Sequence, residues 1–239
     1  MPGVLGDLPR GTLVNYTETV DGVAKRVQYM VFCTPLENPY GDDCCLMLRH
    51  HVTGRGGLNR GLKFSNGSVE YKDSLLDNFI TNEYTSRFDE NFLQAVKVSD
   101  VKCCYFLDRR VYVLNRQFFA LSHNELGLYR PYDPSRLVST FSSCVDRIAY
   151  LPDDSMGKPY WSRSPASDSA VGSVGYKGYL YPGNPAVYFY ARPGFNLDAS
   201  VFVSSEPNED GSFDLMIDTG KEIVIDFAEF ESSFSLLLS

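Results

Sequence analysis

Residues 12–20 and 23–34 are runs rich in β-branched, aromatic and other apolar residues, and Asp21-Gly22 separates them. Two such runs joined by that dipeptide predict a tight β-hairpin. Residues 44–52, which open on five apolar residues, read as a further strand, and Asn66-Gly67 between 62–64 and 68–71 predicts a second hairpin. The spacing of apolar positions then becomes helical. Ser74 precedes Leu75, Leu76, Phe79 and Ile80, and Asp89 precedes Phe92 and Leu93, so two short helices are expected near 74–97, each with an oxygen-bearing cap. Phe88 and Leu93 are placed to form a hydrophobic staple across the second start. Strands at 101–107 and 111–121 flank Asp108-Arg109-Arg110.

The longest helical pattern lies at 133–151. Asp133-Pro134 suits a helix start, and Leu137, Phe141, Cys144, Val145 and Ile148 recur at three- and four-residue steps. Residues 152–170 are rich in Ser, Asp and Pro, hold the single tryptophan, Trp161, and predict a long arm or loop. Beyond it, short runs at 174–181, 186–191, 200–204, 212–218, 222–227 and 232–238 read as strands. The expected fold is therefore mainly β (β-rich α+β), with antiparallel sandwich or barrel-like sheets packed around one central helix, 133–151. It is expected as a single compact domain over 1–239. The alternative division is a mixed half, 1–151, and an antiparallel half, 171–239, joined by the 152–170 arm.

Composition adds compartment and partner expectations. The 239 residues carry a net charge of −8, which argues against general nucleic-acid affinity. The charge is uneven. Nine acids against Lys221 lie between Glu206 and Glu231, whereas Arg49, Arg55, Arg60 and Lys63 occur in a stretch without an acid. No long apolar span or secretory leader is evident, so no membrane association is expected. Six cysteines sit in apolar surroundings, and they are expected to be reduced thiols of an intracellular, cytoplasmic protein. Aromatic content of 14% favours strands and broad contact surfaces.

The candidate chemistry is sparse. Cys44-Cys45-Leu46-Met47-Leu48-Arg49-His50-His51, followed by Gly54-Arg55-Gly56-Gly57-Leu58-Asn59, locally resembles the start of the HNH nuclease motif. That resemblance, about fifteen residues long, implies a metal-dependent nuclease with His50 and His51 as general base and metal ligand, and with Asn66 or Asn78 as the asparagine. No later histidine falls on the motif's helix; His123, the third histidine, lies far downstream. Adjacent cysteines do not make a zinc knuckle. Arg49, Arg55, Arg60 and Lys63 among glycines suit contact with a phosphate or an acidic partner. No complete P-loop, dinucleotide fingerprint or nucleophile elbow occurs, so no cofactor and no metal are expected. Tyr179/Tyr181 and Tyr188/Tyr190 are each spaced by two, so each pair shares one strand face. With Trp161 nearby in sequence, they suit a stacking face for a sugar or nucleotide, or a protein interface. The reading that unites these observations is a non-enzymatic structural protein that self-associates, or joins other subunits of one assembly, with a virion component (capsid or tail) as the setting. Its interface would comprise Trp161, the four tyrosines, Asp214 and Asp218. A nuclease and a carbohydrate- or nucleotide-binding β module are the alternatives.

Overall fold

A computed structural model of the chain describes residues 2–56, 60–138, 140–152 and 154–217. It opens with β1 (Gly3–Val4) and the long hairpin β2 (Leu13–Val20) and β3 (Val23–Cys33). Asp21 and Gly22 both have positive φ, 52° and 77°, as a two-residue turn between right-twisted strands requires. β4 (Cys44–Arg49) is buried along its whole length, and β5 (Leu62–Lys63) is short. α1 (Leu75–Asn78) is capped by the Ser74 side chain, which accepts from the Asp77 N–H. The chain stays coiled through Arg87. α2 (Glu90–Ala95) is capped by Asp89, which accepts from the Phe92 N–H. Phe88 stacks on Phe92, with ring centroids 4.5 Å apart, in place of the expected Leu93 staple.

β6 (Val96–Lys97), β7 (Ser99–Cys104), β8 (Val111–Arg116) and β9 (Phe118–Ala120) follow, with Arg109 at φ 56° in the β7–β8 turn. After an irregular stretch come β10 (Tyr160–Pro165), β11 (Val171–Val174), β12 (Leu180–Gly183), β13 (Tyr188–Phe189), β14 (Pro193–Asp198), β15 (Phe202–Val203) and β16 (Phe213–Met216). Nine strands form the main sheet, in the order β1-β15-β16-β2-β3-β4-β14-β6 with β9 also on β14. This sheet draws strands from both sides of residues 152–170. β10-β11-β12, β13-β5 and β7-β8 form three smaller sheets. All pairs between strands are antiparallel except β16 with β2, and no barrel closes among the described residues.

The fold is mainly β, and several expectations within it change. The segment 133–151 is not a helix: it is irregular apart from one tight turn at Val145–Arg147. The Asp133 carboxylate accepts from the Ser135 N–H, the Asn124 N–H and the Ser164 hydroxyl, so its cap chemistry serves loops from elsewhere in the chain. Phe141 and Val138 are buried, but Leu137 and Val145 are exposed, so the supposed apolar face is divided. The 152–170 segment is not a free arm: its middle, Tyr160–Pro165, is the strand β10, buried throughout. The Asn66-Gly67 hairpin does not form, because β5 pairs with distant β13. The strands expected at 222–227 and 232–238 lie outside the described residues.

The core centres on aromatic rings from separate elements. Phe118 of β9 stacks on Phe88 at 5.0 Å, and Phe195 of β14 meets Phe92 at 5.6 Å and Tyr29 at 5.3 Å. Emptying one such position costs about 3–5 kcal/mol.

Candidate functional site

Two groups of residues that are far apart in sequence meet on β5 and β13. Lys63 lies directly across from Tyr188, with its ammonium 5.5 Å from the Tyr188 ring centre, and Leu62 lies across from Phe189. Cross-strand neighbours of this kind stabilise each other through cation–π attraction and shared burial. Beneath them sits Trp161. It is buried, donates its indole N–H to the Leu62 carbonyl at 3.0 Å, and packs on Phe189 at 4.6 Å and Phe64 at 5.7 Å. Trp161 is therefore not an interface residue. Its ring supports the ribbon from inside.

β12 joins the same region at Gly183, where an added Cβ would lie 2.7 Å from the Trp161 ring. Tyr179 and Tyr181 precede Gly183 by even steps, and Tyr181 lies against Gly175, where a Cβ would lie 2.7 Å from its ring. Tyr176, Tyr179, Tyr181 and Tyr188 are 59%, 53%, 49% and 67% exposed, and Tyr190 is half-buried. Lys177 stands over the Tyr176 ring at 5.8 Å. Residues 44–69 and 169–197, which supply this surface, contain no Asp or Glu in a chain of net charge −8. Lys177 was not anticipated, although its place between Tyr176 and Tyr179 in an acid-free run carries the signal.

The four basic candidates separate. Arg49 points inward: its Nε donates to Glu18 at 2.7 Å, and its Nη1 donates to the carbonyls of His51 and Val52. Arg87 shares Glu18, at 3.3 Å, and the Tyr29 and Tyr84 hydroxyls donate to the same carboxylate. Burial alone would raise the Glu18 pKa; the Arg49 charge and the converging donors hold it down at about 2. Arg49 is thus a core ion-pair residue and not a phosphate contact. Arg55 is exposed but paired with Glu83 at 3.0 Å. Arg60 and Lys63 have no ion pair among the described residues. Of the acidic candidates, Asp214 pairs with Arg26 at 2.6 Å, and Asp218 lies outside the described residues.

His50 and His51 meet edge to face with centroids 4.8 Å apart. The His50 Nδ1 is buried without a partner, and burial, with the neighbouring His51, lowers the pKa to about 4. No group of three His, Cys, Asp or Glu side chains converges to hold a metal ion among the described residues. Asn78 donates to the Asp73 carbonyl. Arg26, Gln28, Arg49, His51 and Asp210 line a cavity of about 230 Å³ beside the pair, but its polar groups are tied up, Gln28 to Asp210 and Arg26 to Asp214. His123 is buried with neither ring nitrogen partnered. The histidines do not form the nuclease arrangement.

A second buried ion pair was not foreseen. Arg163 of β10 meets Glu125 through two contacts of 2.6 Å, and also donates to Ser135 and to the Ala120 carbonyl. Its groups are saturated, so it fixes β10 to the irregular stretch. All six cysteines are free, five of them buried. Burial pushes Cys33, Cys44, Cys45 and Cys103 up to about 12, which leaves them unreactive at neutral pH. Among the described residues no helix is long and apolar enough to cross a membrane.

The profile of a family described as "Domain of unknown function (DUF6273)" matches residues 42–199, well over half of the chain. No curated protein and no solved structure matches it. The matched segment runs from the start of β4 to the end of β14 and includes the whole tyrosine face.

Proposed function

Since the chain belongs to the DUF6273 family, a domain of unknown function, we propose a role from its own surface: a non-enzymatic subunit that self-associates into a larger assembly. The observation that supports this reading is the set of exposed tyrosines supplied by two stretches of sequence without an acid, with Lys63 beside Tyr188, Lys177 beside Tyr176 and Arg60 in the loop before β5. Glu206 and Glu209 are exposed and have no ion pair among the described residues; they lie just before β16. β16 pairs beside Asn15 of β2, whereas the basic loop approaches Asp21 at the far tip of that strand. Six residues of strand separate the two, roughly 20 Å. Complementary patches at different places on one molecule favour head-to-tail contact, which closes into rings or extends into tubes and shells. A virion shell or tail is the setting we propose.

Tyrosines suit the centre of such a contact, since they bury large area with few rotors and keep a hydroxyl for the rim. The cations supply steering and register more than affinity. The test is a charge reversal. Arg60→Glu with Lys177→Glu should weaken association while leaving the subunit folded, because exposed charges contribute little to stability. Glu206→Lys with Glu209→Lys should do the same, and the quadruple variant should recover part of the loss. Native mass and light scattering read the outcome. A wild-type protein that stays monomeric at high concentration, in low and high salt alike, sinks the proposal.

A further inference from the structure

The tyrosine face accounts for one contact. The β7–β8 hairpin presents another at its outer edge. The Tyr105 N–H donates to the Arg110 carbonyl at 3.0 Å, which fixes which residues of β8 face β7. In an antiparallel pair these alternate, so Arg110, Tyr112, Leu114 and Arg116 bond to β7. Val111, Val113 and Asn115 therefore turn their N–H and C=O groups outward, away from β7. Among the described residues the only bond made there is from Arg116 Nη1 to the Asn115 carbonyl.

An open strand edge is ordinarily guarded by shortness, proline or charge. Other edges of this molecule are: β1 and β6, at the ends of the main sheet, have two residues each, and β12 carries Pro182. β8 has six residues and no proline. Of its three side chains beside the open edge, two are apolar, Val111 55% and Val113 51% exposed, while Asn115 bonds back to Asp100; Leu107 at the turn is 84% exposed. Its one charge, Arg116, is turned onto Asp77 at 2.8 Å.

We infer that the outer edge of β8 joins the same edge of a second copy of this chain, antiparallel, about a two-fold axis through Val113. This deepens the self-association reading, on which it rests, with a contact separate from the tyrosine face. The register is self-consistent. Val113 meets Val113 of the second copy, and Val111 meets Asn115 in both directions. These are the residues with outward backbone groups, and they can exchange about six N–H···O bonds. No unpaired charge is trapped. Arg110 comes opposite Arg116 of the second copy, but Arg110 is paired with Asp108 at 2.5 Å and Arg116 with Asp77. A six-residue strand pair is small against the roughly 1,200 Å² at which stable interfaces begin, so this contact is weak alone and gains strength from the other contact through effective concentration. A two-fold contact added to a head-to-tail one turns a filament or ring into a lattice.

The experiment measures association by sedimentation and backbone protection by amide hydrogen exchange, on the full chain. Val113→Glu sets two carboxylates against each other at the axis and should lower the association constant at least about tenfold. Val113→Thr keeps the β-branched shape and should associate as the wild type does. The N–H groups of Val111, Val113 and Asn115 should exchange fast in the monomer and slowly in the associated state. Association that persists in Val113→Glu, with these amides still fast, overturns the inference; if Arg60→Glu with Lys177→Glu abolishes it, the tyrosine-face reading stands alone. Protection that appears only with an added extended peptide, and not with a second copy, overturns the assigned occupant. A monomer under all conditions overturns both.

Discussion

Glu18 shows how much one residue can hold together. Its carboxylate receives Arg49, Arg87, Tyr29 and Tyr84, all buried. Glu18→Gln would leave two guanidinium groups in the interior with no counter-charge, a loss of about 3–5 kcal/mol that chemical denaturation would measure. Strand periodicity puts Glu18 on the same face as Val14 and Tyr16, but a carboxylate there does not announce its burial, nor that arginines from β4 and from the coil before α2 converge on it. The buried histidine and the carboxylate both lose stability as pH falls, but in different windows. His123 is lowered to about 4, mainly by burial, against about 6.5 in an unfolded chain. The unfolded state then binds more protons between those values, so stability falls as pH drops from about 6.5 toward 4. Glu18, held near 2, contributes fully above the usual carboxylate value and loses its contribution only as pH falls from about 4 toward 2. Denaturation midpoints across pH should therefore show two separate declines. His123→Leu should reduce the upper one, with the remainder due to His50, which is also lowered to about 4, and should leave the lower in place.

At the scale of elements, what could be read from the chain was whatever local chemistry decides. The Asp21-Gly22 turn, the Ser74 and Asp89 caps and the turn at Asp108-Arg109-Arg110 depend on a few adjacent residues, and each formed where expected. The 133–151 segment failed because its signals were real but claimed elsewhere. Asp133 and Ser135 bond across the molecule, to Ser164, Asn124 and Arg163, and these tertiary partners outweigh the helical pattern. β14 escaped notice for another reason. Pro193, Gly194 and Asn196 look unlike a strand, yet Asn196 is buried with its amide on Ser99 and its carbonyl oxygen taking the Asn38 amide. Phe141 tests the revised view. It lies edge-on to Phe32 at 4.9 Å and under the Arg192 guanidinium at 5.4 Å, off any helix. Phe141→Ala should cost about 3–5 kcal/mol in urea denaturation. Helical circular dichroism should not change, whereas a helix at 133–151 would have made it fall.

For the whole molecule, the family segment and the folding unit do not coincide. Residues 42–199 contain the tyrosine face, β8, Trp161 and the Arg163–Glu125 pair. They exclude the β2–β3 hairpin, although β3 is the neighbour of β4 and Glu18 of β2 is the counter-ion of Arg49 and Arg87. The sequence suggested that Arg49 belonged with the exposed cations, because spacing shows charge but not the direction a side chain takes. Its burial ties the matched segment to the hairpin outside it. Cut at residue 42, the segment would expose one edge of β4, a strand buried along its length, and would leave two arginines without a carboxylate. Each unpaired buried charge costs several kcal/mol, against a typical total stability of about 5–15 kcal/mol. The segment 42–199 expressed alone should therefore show no cooperative thermal transition, with Trp161 fluorescence shifted to the red as in a solvated indole. The same segment extended to include residues 2–41 should recover a cooperative transition and a blue-shifted Trp161. In the extended chain, Glu18→Gln should undo much of that recovery. A matched segment that melts cooperatively by itself would mean that Glu18 is dispensable and that the hairpin is an addition to a core already complete.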